Sequence, residues 1–183
     1  MKFKTKTEQK SDNKSIYMSD DMINLLVNQI GHELHNYTLY KTFANYYGAE
    51  GLLLLQEYYN GRADEEMLHH NWIVNFLNQR GVVFKYPAVA EVSEEFDDYK
   101  KPFELTINAE EETTKSIYAI VDLAKKEDDW ITLAWLMQND STTGALVLEQ
   151  SEELDISETA YAIACQDDSW LQKEKAILAA YKK

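Results

Sequence analysis

The sequence predicts an all-α fold: a four-helix bundle with a long crossover between its second and third helices and a short fifth helix at the C-terminal end. Three observations predict it. Only six Gly and two Pro occur in 183 residues, and these are the two residues that cost most in a helix interior. Apolar side chains recur at helical spacing through long stretches of the chain. One long aperiodic segment around Pro87 divides those stretches into two pairs, the connectivity of a bundle closed by a single crossover.

Residues 1–18 are rich in Lys, Ser, Thr and Asn and read as a disordered extension ahead of one domain over 19–183. Ser19-Asp20-Asp21 offers an N-cap, and Met22, Leu26, Ile30, Tyr37 and Phe43 continue helix A over about 20–47, ending at Gly48. Helix B runs from about 50 to 79 through Leu55, Tyr58, Ile73 and Phe76, and stops at Arg80-Gly81. Residues 81–100 hold Pro87 and an acidic cluster, and fit an extended connection between the ends of a bundle. Pro102 suits a first helical turn, so helix C covers about 102–127. The short acidic turn at 125–129 makes helix D, about 129–155, an antiparallel neighbour of C. Within D the run Asn139-Asp140-Ser141-Thr142-Thr143-Gly144 is poor in helix formers and a break there is allowed. A last helix covers about 169–182.

The net charge of −14 repels phosphate backbones and anionic lipid, so neither nucleic acid nor a membrane surface is expected as a partner. Acidity by itself commonly serves solubility and decides nothing about metals. With one cysteine, Cys165, neither an intrachain disulfide nor a cysteine zinc cage can form. No apolar run is long enough to span a bilayer, and the polar N-terminal stretch has no signal-peptide core, which makes the cytoplasm the expected location.

A di-metal site in a bundle needs inward carboxylates from separate helices and a Glu-x-x-His, because residues three apart share a helix face. Helix B contains Glu66-Met67-Leu68-His69. Alone, such a motif is a weak signal and reads as a solvated face. Helix A adds Glu33, on the side of Ile23, Leu26 and Ile30 with Tyr40 one heptad on; helix C adds Glu110, seven residues before Ile117. On helix D, Asp140 stands seven residues from both Leu133 and Val147. Oxygen-rich ligands with a single imidazole favour iron or manganese over structural zinc. Tyr40, one of twelve tyrosines, reads from the residues alone as core packing.

The segments Glu33-Leu34-His35-Asn36-Tyr37-Thr38-Leu39-Tyr40, Glu65-Glu66-Met67-Leu68-His69 leading into Phe76-Leu77-Asn78, and Glu110 ahead of Ser116-Ile117 resemble the bacterial non-haem ferritins, over about 20–182. The resemblance implies a ferritin-like bundle with a diiron (Fe2+/Fe3+) centre. Glu33 and His69 hold the first iron, Glu66 bridges, Glu110 holds the second, and Tyr40 stands beside the pair to supply a hydrogen bond or an electron. It implies a ferroxidase that oxidises Fe(II) with O2 or H2O2, storing and detoxifying iron as ferric mineral in a hollow homo-oligomeric cage of 24 subunits. The family's helix D glutamine falls on Asp140 or Thr143, and Asp140 is favoured because carboxylate ligates iron. Third-iron positions fall on Asn139, Thr142 and Thr143, leaving mainly Glu65, so a third iron is not expected. Bacterioferritin's symmetric site needs a second Glu-x-x-His on helix D, and none exists. His32, His35 and His70 read as surface or interface residues. The rival expectation is a ferritin-fold cage or scaffold that binds iron passively, with weak or no ferroxidase activity.

Overall fold

The computed structural model describes residues 18–182 apart from 94, 97 and 139–144. Asp140 and Thr143, and the N-terminal extension up to residue 17, lie outside the described residues. Met18, expected to belong to that extension, already packs against the core.

Six helices occur among the described residues: α1 (Asp20–Ala49), α2 (Leu53–Gln79), α3 (Lys101–Lys126), α4 (Trp130–Leu136), α5 (Leu146–Ala164) and α6 (Trp170–Tyr181). The first, second, third and last match helices A, B, C and the C-terminal helix of the sequence reading within a few residues. Helix D does not match. Where one helix over about 129–155 was expected, α4 ends at Leu136 and α5 begins at Leu146, then runs on to Ala164. The boundaries flank the stretch of poor helix formers noted in the sequence. The fourth rod of the bundle is therefore α5, and α4 is a short lead-in to it.

Local chemistry fixes most of the ends. Ser19 Oγ accepts from the Met22 amide at 3.0 Å, and Asp20 and Asp21 sit in the first turn of α1, where the helix dipole favours negative charge. Gly81, at φ +71°, ends α2 by taking the left-handed conformation that lets the Val82 amide return to the Leu77 carbonyl at 3.0 Å. Pro102 opens α3, and Asp129 caps α4 through the Thr132 amide at 3.1 Å. Replacing Ser19 by alanine should cost about 0.5–2 kcal/mol. A thermal melt should show this as a fall of a few degrees, with Ser19→Gly falling less; no difference from wild type would mean that packing alone holds the first turn of α1.

The core comes in two halves. One is built on Met22, Leu26 and Ile30 of α1, Ile73 and Phe76 of α2, and Ile117 and Ile120 of α3, with Trp135 of α4 stacked on Phe76 at 4.2 Å between ring centroids. The other is aromatic: Tyr40, Phe43 and Tyr47 of α1 meet Tyr58 and Tyr59 of α2 and Phe103 of α3. Helix α1 runs from the first half to the second, α2 and α3 both run from the second to the first, and α5 runs from Leu146 in the first to Ala160 in the second. Since α2 and α3 point the same way, the chain between them must travel the length of the bundle. It does so with Val82 and Phe84 against one half and Val92, Phe96 and Tyr99 against the other. Helix α6 closes the aromatic end. Gly61 leaves room for it: a Cβ there would stand 2.3 Å from the Tyr181 hydroxyl. No helix among the described residues is long and apolar enough to cross a membrane.

Between the two halves lies a belt of buried polar side chains, among them Gln29, Glu33, Arg62, Glu66, His69 and Glu110, with Gln150 and Glu153 of α5. Burying so many ionisable groups is costly unless each is compensated.

Candidate metal centre

Glu33, Glu66, His69 and Glu110 all point into this belt, and none is more than 1% exposed. Two triads of ligand atoms form there. Glu33, Glu66 and His69 make one; Glu66, Glu110 and Glu153 make the other; in each, the three atoms lie within 4.8 Å of one another. Glu66 belongs to both, so one carboxylate with two oxygens stands between two adjacent positions able to hold a cation.

The hydrogen bonding separates the triads. Around the first, Gln29 Nε2 donates to Glu33 Oε1 at 2.8 Å. His69 Nδ1 lies 3.9 Å from Glu33 Oε2, and His69 Nε2 lies 3.7 Å from Glu153 Oε1 and 4.0 Å from Glu149 Oε2. These are distances at which charges attract but no hydrogen bond of ordinary length forms. Both ring nitrogens of His69, both oxygens of Glu66 and Glu153, and Oε2 of Glu33 are buried without a hydrogen-bond partner among the described residues. Around the second triad Glu110 is well served. The Tyr40 hydroxyl and Arg62 Nη2, the latter at 2.6 Å, both donate to Oε1, and Gln150 Nε2 donates to Oε2 at 2.8 Å.

Unpaired buried acceptors facing one another are the mark of a site whose partner is a cation, because apolar burial without one would cost several kcal/mol for each group. In the absence of a metal, protons take that place. Burial, then the charges of Glu110, Glu153 and Glu33, hold the Glu66 carboxyl well above the usual carboxylate range, so its protonated form is favoured. Burial likewise pushes Glu153 up to about 8, although His69 and Arg62 pull the other way. For His69 burial opposes the charged ring, but Glu153, Glu149 and Glu33 outweigh it and raise the imidazole to about 9. Burial and the Glu110 and Glu66 charges raise Tyr40 as well, which keeps its hydroxyl a donor to Glu110.

The structure brings together four of the five residues read from the sequence as ligands, together with Tyr40; the fifth, Asp140, lies outside the described residues. The carboxylate that α5 supplies is Glu153, with Gln150 beside it and Glu149 at the rim, and the sequence reading named none of them. The signal was present in the heptad Leu146–Glu153–Ala160, whose outer members are both buried. It was masked because the stripe Leu133–Asp140–Val147 assumed an unbroken helix. Arg62 was also missed; only its place three residues before Glu65 hinted at an ion pair. Of the remaining histidines, His32 and His35 are half-buried, whereas His70 is buried, its ring stacked on Tyr86 of the crossover at 5.7 Å. That contact, and not a surface role, accounts for it.

The ferritin-like domain matches residues 23–139. The chain belongs to the ferritin-like domain family. Among curated proteins, this family member is 26% identical over 119 residues to the bacterial non-heme ferritin of Staphylococcus aureus strain USA300, which covers 65% of this chain and 72% of that one. Against the bacterial non-heme ferritin of Staphylococcus saprophyticus the identity is 25%, over 65% of this chain and 71% of the relative. In three dimensions this ferritin-like bundle overlays an open pore ferritin from the hyperthermophilic archaeon Archaeoglobus fulgidus with a TM-score of 0.76 and 28% identity, over 88% of this chain and 96% of that one. An engineered closed form of the same ferritin gives a TM-score of 0.77 and 26% identity, over 88% and 97% of the two chains. The domain match stops before α5, the ferritin-like helix whose start is displaced relative to the sequence reading.

Proposed function

We propose that this chain stores and detoxifies iron in the cytoplasm, oxidising Fe(II) to Fe(III) at the paired triads and retaining the ferric product inside a homo-oligomeric cage, of 24 subunits by resemblance to the ferritins. The observation that carries the reading is the sharing of Glu66 between two buried triads, with the facing atoms of Glu33, Glu66, His69 and Glu153 left without a hydrogen-bond partner among the described residues. Iron is the substrate here. Glu33, Glu66 and His69 take one Fe(II), and Glu66, Glu110 and Glu153 take the other; Tyr40 steadies Glu110 by its hydrogen bond and lies close enough to supply an electron. Entry of the ions expels the protons on Glu66, Glu153 and His69, since ligands bind metal in their deprotonated forms.

Four carboxylates and one imidazole make a hard, anionic shell that stabilises Fe(III) over Fe(II). Two ferrous ions held side by side can each give one electron to O2, which takes up two protons and leaves as hydrogen peroxide; H2O2 as oxidant takes two electrons and two protons to give water. The passive-cage alternative turned on whether Asp140 of the fourth helix completes the second iron's shell. Glu153 on α5 supports the active reading in its place, without recourse to Asp140.

Stopped-flow absorbance at two Fe(II) per chain, in air, tests the reading. The expected rise in ferric absorbance is at least about tenfold faster than in buffer, the scale on which bound-metal chemistry separates from solution. A trace that superimposes on buffer would leave only passive binding.

A further inference from the structure

One buried charge in the belt is not a metal ligand. Arg62 has no exposed surface, and its guanidinium lies among the carboxylates of the second triad. Nη2 donates to Glu110 Oε1 at 2.6 Å, and Nη1 lies 3.5 Å from Glu153 Oε1. Two of the three acids of that triad therefore already face a cation. The first triad has none but its own His69.

The guanidinium is clamped in place. Nη1 also donates to Glu65 Oε2 at 2.8 Å, and the other oxygen of Glu65 accepts from the Tyr181 hydroxyl of α6 at 3.0 Å. The Tyr40 ring lies 5.8 Å from the centre of the guanidinium. Groups from α1, α2, α3 and α5 thus meet at one side chain, and α6 holds one of them, Glu65, from behind. Unlike the protons on Glu66, Glu153 and His69, this cation cannot leave on arrival of a metal, because arginine does not deprotonate in proteins. Glu110 Oε1 already accepts two hydrogen bonds, from Arg62 and from Tyr40, which uses both of its lone pairs.

We propose that Arg62 is a resident cation that makes the two metal positions unequal. The Glu33–Glu66–His69 position fills first, and the Glu66–Glu110–Glu153 position fills only at higher metal concentration, against a fixed like charge. This rests on the two-triad reading above and adds an order of occupation to it. Its consequence is a threshold. Paired ions, and hence oxidation, arise only once free ferrous iron exceeds what the first position alone can hold, so Arg62 sets the iron level at which the chain begins to work.

The test uses Co(II), which is redox-inert here and reports its ligands by visible absorbance, titrated into the assembled full-length protein and followed in parallel by calorimetry. Wild type should bind two ions in steps that differ by at least about tenfold, the order expected of a like charge a few ångströms away in a poorly screened site. Arg62→Met should tighten the second step by about tenfold and leave the first within about twofold, while Arg62→Lys, which keeps the charge, should preserve the gap. A purely structural arginine would weaken both steps on removal and would tighten neither. Equal steps in wild type, or an unchanged second step in Arg62→Met, would overturn the proposal; should the methionine variant not fold, Arg62→Gln, which removes the charge and keeps a hydrogen-bond donor, gives the same comparison. Failure of a folded wild type to bind any Co(II) is a different result, and removes the two-triad reading itself.

Discussion

Exchange of Glu66 for glutamine should abolish paired-metal chemistry and, in the same variant, stabilise the metal-free protein. The two effects have one cause. Glu66 is the side chain common to both triads, so its loss removes one ligand from each position and the bridge between them. Disturbing partners outside the ligand shell alone costs about 10–100-fold in metal affinity or activity, so loss of a shared ligand should lower the oxidation rate by about 100-fold or more. Without metal the same carboxyl is a burden: it is 1% exposed and neither oxygen receives a donor from a neighbouring side chain. An amide of the same shape is neutral without taking up a proton and can donate to Glu33, which should raise stability at pH 8 by about 1–3 kcal/mol. Melts in the presence of a chelator and Fe(II) oxidation traces on one preparation provide both readouts. A variant that oxidises iron at the wild-type rate would refute the bridging role; one that is inactive and also destabilised without metal would mean that Glu66 has a structural partner instead.

The bundle was legible because its first three long helices carry their apolar faces in the sequence without interruption. Ile30 to Phe43, Tyr58 to Phe76 and Leu105 to Val121 all keep helical spacing, and their polar exceptions, Glu33, Glu66, His69 and Glu110, are the residues that the folded chain buries. An acid on an apolar stripe is informative for the reason that makes it expensive. The fourth rod was not legible in the same way. Phase along a helix is carried by counting, and counting across 137–145, where no helix runs among the described residues, moves every later residue to the wrong face. Val147 is only half-buried, while Leu146 and Glu153 are buried. Arg62 stayed hidden for a different reason. An arginine next to acids on a helix is ordinarily a surface ion pair of little consequence, and nothing local distinguishes one that the tertiary fold has turned inward. Its partners Glu110 and Glu153 lie 48 and 91 positions away, so only the assembled bundle brings them together.

Stability of the metal-free chain should fall as pH rises from about 5 to about 9, and divalent metal should reverse that dependence. The sign follows from which state holds more protons. Glu153 titrates at about 8 when folded, against 4.5 for an exposed glutamate, and Glu66 is shifted in the same direction. His69 titrates at about 9, against 6.5 in the unfolded chain. All three shifts are upward, so between each unfolded and folded value the native state binds protons that the unfolded state has released, and each step upward in pH favours unfolding. Glu153 acts from about 4.5 to 8 and the histidine from 6.5 to about 9, with Glu66 adding in the same direction, giving a loss on the order of a few kcal/mol across the range. A cation in the triads inverts the logic, because it needs those same groups deprotonated: its affinity should climb with pH and its binding should release protons, measurable as buffer-dependent heat in calorimetry. Melting temperatures at pH 5, 7 and 9, with chelator and with Co(II), should therefore diverge, falling in the first series and holding or rising in the second. Parallel curves would mean that the acids of the belt are ionised and satisfied before any metal arrives, which the unmatched oxygens of Glu66 and Glu153 argue against. Protons and metal ions are, on this view, alternative occupants of one buried space, beside the Arg62 charge that stays in place.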